Sequence, residues 1–235
     1  MEQPGKPQVI LLDVYDTLLD MSDVERRVNN LLDSKRGFRI WFELMMQYCF
    51  VENCTGRYHD FTAIGKATLK MAGKILGEAV SEDRIDDLLH LMRQLPLQED
   101  AHDGLSALYD QGFRLAALTN APRDVLNERM ERTGLVSYFE AVLSGEEIKK
   151  YKPDKAVYQW AARNLRVAPE ECLLVTVHSW DLMGALSAGM QAAFLNRPGQ
   201  LLYPLAPEPH YTAGSLGELA ELLEKAPLPT ESPSP

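Results

Sequence analysis

Short apolar runs alternate with amphipathic stretches along most of this chain. Val9–Leu12 opens the series, followed by Phe113–Leu118 (FRLAAL), Ala141–Leu143 within FEAVLS, Cys172–Val177 (CLLVTV) and Ala192–Leu195 (AAFL). Such near-continuous apolar runs, bounded by turn residues, predict strands buried on both faces. Helical spacing fills the intervals at Gly104–Tyr109, Pro122–Thr133, Ala156–Leu165 and Leu182–Ala188. The turn Asp110-Gln111-Gly112 and the closing Asn-Arg-Pro-Gly punctuate the series. Strands alternating with helices of this length predict an α/β fold, a doubly wound parallel sheet covered on both faces.

From about Asp20 to Leu95 the alternation stops. No strand pattern occurs there, and four helical ones do: Ser22–Leu32, Phe38–Phe50, Asp60–Leu76 and Glu82–Leu95. Gly37, Gly56 and Gly77 separate them and Pro96 ends the last. An all-helical block inserted just after the first strand is expected to lie as a cap over that strand's C-terminal end, where open α/β sheets bind ligands. The expected division is therefore a core of residues 1–19 and 96–225, a cap of residues 20–95, and a Pro/Ser-rich disordered tail, 226–235.

Composition narrows the range of partners. The 235 residues carry a formal net charge of −10, which argues against a nucleic-acid surface, since that needs a basic face. An acidic protein can still hold a small anionic substrate in a local cationic pocket. Three cysteines (Cys49, Cys54, Cys172) show no CxxC or zinc-ligand spacing and are expected to be reduced thiols of a cytoplasmic protein. The first apolar run is too short for a signal peptide or a membrane span, so no membrane partner is expected.

Polar groups that could do chemistry follow the predicted strands. Asp13 ends the first, Thr119-Asn120 the second, Lys152 precedes a helix in YKPDKAVY, and Asp181 follows CLLVTV in HSWDLMGA. In a parallel sheet all strand C-termini face one way, so these groups can converge on one crevice. Each alone reads equally well as a turn former or helix cap. Together they describe a nucleophile site in which a lysine keeps Asp13 ionised and offsets the charge of an anionic substrate.

The set resembles the haloacid dehalogenase superfamily, and within it the 2-haloacid dehalogenase branch. Asp13-Val14-Tyr15-Asp16-Thr17-Leu18 resembles that branch's Asp-x-Tyr-Gly-Thr-Leu, and Leu118-Thr119-Asn120 its Leu-Ser-Asn. Tyr151-Lys152-Pro153-Asp154 with Val157-Tyr158 is similar to Tyr-Lys-Pro-Asp-x-x-Val-Tyr, and His178-Ser179-Trp180-Asp181-x-x-Gly184-Ala185 to His/Asn-x-Trp-Asp-x-x-Gly-Ala. Phosphatases of the superfamily need a second acid two residues after the nucleophile and a paired acid four residues before the distal aspartate. Those places hold Tyr15 and Val177 here. With so few carboxylates the expected chemistry uses no metal and no cofactor.

The resemblance implies that Asp13 displaces halide from C2 of a short 2-haloalkanoic acid, forming an ester. Water activated by Asp181 would then release a 2-hydroxy acid. Lys152 would orient Asp13. Thr17, Thr119 and Asn120 would hydrogen-bond the nucleophile or the substrate carboxylate, with Tyr15, Tyr158 and His178 around them. Three positions depart from the pattern. Thr119 replaces serine but keeps the hydroxyl. Asp16 stands where glycine is usual and reads either as a solvated turn aspartate or as a surrogate general acid, which would reopen phosphatase chemistry. The cap arginine expected about seven residues before Trp41 is displaced: that count reaches Ser34, with Arg36 and Arg39 nearby as the replacements to test. Trp41, Phe42 and Tyr48 are expected to line an apolar pocket or the cap's own core. Two alternatives stand beside dehalogenation, a Mg2+-dependent phosphatase of a small phosphomonoester and a non-catalytic metabolite-binding relic. A homodimer is expected from the resemblance only.

Overall fold

A computed structural model describes residues 5–226. Its centre is β1, Val9–Leu12, four residues with no solvent exposure. β1 pairs in parallel with β2 (Arg114–Thr119) on one side and β4 (Cys172–Thr176) on the other. β3 (Phe139–Ser144), β5 (Gln191–Leu195) and β6 (Tyr211–Ala213) complete a six-stranded all-parallel sheet in the order β3-β2-β1-β4-β5-β6. The chain winds outward from β1 to β3, then returns to the other side at β4. That reversal puts a topological switch point at the C-terminal end of β1, where such sheets bind ligands.

The unbroken apolar character of β1 follows from burial on both faces. Ile10 and Leu12 join one core cluster, and Val9 and Leu11 the other, because successive strand side chains point to opposite faces. The second cluster packs under α7 (Lys155–Leu165) and α8 (Ser179–Ser187). The first takes α5 (Ala101–Asp110), α6 (Arg123–Arg132), α9 (Leu216–Glu224) and side chains of four helices inserted between β1 and α5. Gly104 of α5 lies so close to α9 that a Cβ there would collide with Leu216, so the tight α5–α9 seam requires glycine.

The inserted helices are α1 (Ser22–Leu31), α2 (Gly37–Thr55), α3 (Phe61–Leu76) and α4 (Glu82–Met92). Asp60 caps α3 by accepting from the Ala63 N–H, and Gly56 and Gly77 close α2 and α3 at φ +69° and +82°, which glycine adopts without strain. Gly37 begins α2 rather than separating it from α1. Trp41 of α2 donates its indole N–H to the Gly65 carbonyl of α3 at 2.9 Å. The chain leaves and rejoins the sheet as two antiparallel threads, with Asp20 N–H donating to Pro96 O and Gln98 N–H to Leu18 O, each at 2.9 Å.

The sequence pattern misses β6 and α9, and it starts α8 too late, so Asp181 lies in that helix's first turn and not in a loop. Apart from Ala226, the predicted disordered tail lies outside the described residues.

Candidate active site

Because β1, β2 and β4 run in register, their C-terminal ends deliver side chains to one point. Asp13 follows β1 directly, and its N–H still donates to Val175 O at 3.0 Å, so the sheet holds its backbone. Thr17 donates its hydroxyl to Asp13 Oδ2 at 2.8 Å. Lys152 enters from the loop before α7 and is buried to 1% exposure. Its ammonium donates to Asp13 Oδ1 and Asp181 Oδ2, both at 2.7 Å, and to the Leu118 carbonyl at 3.0 Å. Asp181 Oδ1 accepts from the Tyr158 hydroxyl at 2.5 Å. A lysine could not stay buried as a cation without these partners.

The protonation states follow from the same contacts. Burial pushes Asp13 up, but Lys152 and His178, with hydrogen bonds from Lys152 and Thr17, outweigh it and hold the carboxyl below the usual carboxylate range. Asp181 goes the other way: burial and the Asp13 charge raise it against the pull of Lys152. Burial also opposes the Lys152 ammonium, yet its two carboxylates win and raise it. The site is thus set up with an ionised Asp13 and a charged lysine.

His178 stands at the other edge of Asp13. Its Nε2 is 3.7 Å from Asp13 Oδ2 and 3.3 Å from the Tyr15 carbonyl. The ring stacks between Phe42 of α2 (5.9 Å) and Trp180 (5.1 Å). Two spaces meet this neighbourhood. One is an apolar pocket of about 100 Å³ between the inserted helices and the end of β2, lined by Tyr15, Trp41, Met45, Phe61 and Ala121 among others. The other is a polar cleft of about 870 Å³ on the His178 side, whose walls include Asp16, Asp20, Phe42, Gln98 and Arg197.

Asp13, Thr17, Lys152, Tyr158, His178 and Asp181 are thus brought together. Asn120 acts one step out: its Oδ1 accepts the Lys152 backbone N–H at 2.7 Å, which fixes the lysine's loop. Thr119 is buried, and its hydroxyl accepts the Ala121 N–H at 3.1 Å, so it shapes the turn after β2. Arg39 stands apart from this group. Its side chain is 76% exposed and pairs with Glu43 at 2.7 Å on the rim of the polar cleft, because its place on α2 faces solvent. Arg36 is likewise exposed, at the start of α2, and Tyr48 lies on the helix's outer surface. The charged residue that lines the apolar pocket is Arg93, which carries no signal in the sequence pattern. It falls at the end of a helix whose orientation the pattern does not reveal. Thr176, 3.4 Å from Asp13 Oδ2, was missed inside an apolar run.

A haloacid dehalogenase-like hydrolase model matches residues 60–195, more than half of the chain. The protein belongs to the haloacid dehalogenase-like hydrolase family. Among the members it resembles is (S)-2-haloacid dehalogenase 1 of Pseudomonas sp. (strain CBS-3), 31% identical over 216 residues that cover 91% of this chain and 95% of that one. Human N-acylneuraminate-9-phosphatase is 28% identical over 237 residues, covering 94% and 95%. Among solved structures, a dehalogenase in an intermediate complex superposes with a TM-score of 0.85 at 28% identity, over 94% of this chain and 99% of that one. Family membership and fold therefore agree with the parallel sheet and its switch-point site.

Proposed function

We propose that this hydrolase displaces halide from a short 2-haloalkanoic acid and releases the 2-hydroxy acid through an ester on Asp13. The observation that carries the reading is the buried Lys152 ammonium, shared between Asp13 and Asp181 at 2.7 Å each. It keeps the nucleophile ionised and offers positive charge to an anionic substrate. Likeness to the (S)-2-haloacid dehalogenases supports this substrate class and, within it, the (S) enantiomer. In this reading residues 20–95 form a cap over a core of 1–19 and 96–225, and the apolar pocket between them takes the alkyl part of the substrate.

A divalent metal does not fit the donor set. The two carboxylates that would hold it are already bridged by the lysine, and the place of a further acid is the apolar Val177. Mg2+ requires several oxygen ligands in octahedral array. Carbon–halogen displacement asks for none, since halide departs as a stable anion and no phosphoryl charge has to be shielded. The same absence of a second acid, Tyr15 standing in its place, counts against phosphatase chemistry despite the likeness to a phosphatase.

The test is a panel of chloroacetate, 2-chloropropionate, fluoroacetate and p-nitrophenyl phosphate, each with EDTA and with Mg2+. Halide release that survives EDTA and disappears in Asp13→Asn is the expected result. Phosphate release that depends on Mg2+, without halide release, would overturn it.

A further inference from the structure

Hydrolysis of an ester on Asp13 needs a base for the attacking water and a way in for that water. The resemblance gives the base's task to Asp181. In the structure that carboxylate is fully buried, with one oxygen on Lys152 and the other on Tyr158. Its contacts fit a residue that positions the lysine. The apolar pocket is no route for water either, since an alkyl group fills it while the ester exists. The remaining approach is the polar cleft, and His178 is a titratable side chain that lines it and lies against Asp13, with Nε2 3.7 Å from Asp13 Oδ2.

We infer that His178 is the base of the hydrolytic half-reaction and that the polar cleft supplies its water, an inference that rests on the ester mechanism proposed above. Phe42 and Trp180 clamp the imidazole so that Nε2 points between Asp13 and the Tyr15 carbonyl. Water attacks Cγ of the esterified Asp13 while Nε2 takes one of its protons. The Tyr15 carbonyl, 3.3 Å away, then accepts a hydrogen bond from the new imidazolium. The bond between Cγ and the alkyl oxygen breaks, Nε2 returns its proton to that oxygen, and the 2-hydroxy acid leaves. The second proton of the water is lost to the cleft as Asp13 regains its carboxylate. The order of events suits the geometry. In the free enzyme the Asp13 carboxylate faces Nε2 at 3.7 Å, so the ester formed there presents its Cγ beside the imidazole.

The inference predicts a separation of the two half-reactions in His178→Asn and His178→Gln. With 2-chloropropionate, each variant should release about one equivalent of halide per active site in a burst. Steady turnover should fall by about 10²–10⁴-fold, the usual contribution of a general base. The Asp13 peptide should then carry the mass of the ester, and added imidazole should speed turnover of His178→Gly. Turnover of both variants within about threefold of the parent would overturn the inference. So would loss of the burst together with turnover in variants whose melting temperature is unchanged, because His178 would then serve the alkylation step. If the parent protein releases no halide, the ester mechanism itself fails and this inference falls with it.

Discussion

Replacing Lys152 by methionine tests the electrostatics of the site most directly. The substitution keeps an unbranched side chain of similar length but removes an ammonium that makes three buried hydrogen bonds, two of them to carboxylates at 2.7 Å. Removing one partner of a buried ion pair costs about 3–5 kcal/mol, because the other is left uncompensated. At about 2–4 °C per kcal/mol for a chain of this size, the melting temperature should fall by roughly 6–20 °C. The loss should also depend on pH with a definite sign. In the parent protein Asp13 lies below its unfolded value, so its stabilisation is present above that value and is lost as pH falls through the folded one. Without Lys152 both carboxylates face burial and each other, and both shift upward. The folded variant then binds more protons than the unfolded chain, so its stability falls as pH rises. Thermal unfolding followed by circular dichroism at pH 5 and pH 8 should show the larger deficit at pH 8. A deficit below about 2 °C, or one equal at both pH values, would refute the claim that Lys152 carries the charge balance of the site.

Three further predictions bear on neighbouring residues. Asp16 sits at φ +62°, where glycine is unstrained, and Asp16→Gly should raise stability by about 1 kcal/mol in urea unfolding. Burial lifts the Asp16 carboxyl to about 6, so its folded form is favoured at low pH, and the variant's gain should grow between pH 4 and pH 7; a gain that shrinks instead would contradict the assignment. Arg39→Ala should leave the melting temperature and chloroacetate turnover unchanged, since its guanidinium is exposed and pairs with Glu43; a tenfold loss of turnover would return it to the site. Gly184→Ala would place a Cβ against the Tyr158 hydroxyl and 2.7 Å from Pro153 Cβ. It should cost about 1–3 kcal/mol and lower turnover by moving Tyr158 off Asp181, and parent-like values in both assays would disprove that contact.

How much of this was legible beforehand depends on what each feature rests on. β1, β2, β4 and β5 were legible because burial on both faces leaves an uninterrupted apolar run. β6 is a three-residue edge strand, YTA, whose pairing is decided by β5 and leaves no local pattern. Asp13, Lys152 and Asp181 were legible because parallel strands bring their following residues to one place whatever the details of packing. Which face of α2 turns inward is a tertiary outcome, and that is why the sequence does not reveal that Arg39 faces solvent while Phe42, three residues on, packs against His178. Arg93 and Thr176 failed for the same reason: each matters through neighbours far away in sequence.

The loop that carries Lys152 is fastened on its outer side as well. Asn53 of α2 meets the backbone of Tyr151 twice, donating to its carbonyl at 2.7 Å and accepting from its N–H at 3.0 Å, and the Tyr151 hydroxyl donates to the His59 carbonyl. The inserted helices therefore hold the residue next to the lysine directly, besides packing on His178 through Phe42 and joining the sheet by the two threads at 18–20 and 96–98. Whatever enters the site meets an ammonium whose loop is braced from both sides, by Asn120 after β2 and by Asn53 of α2.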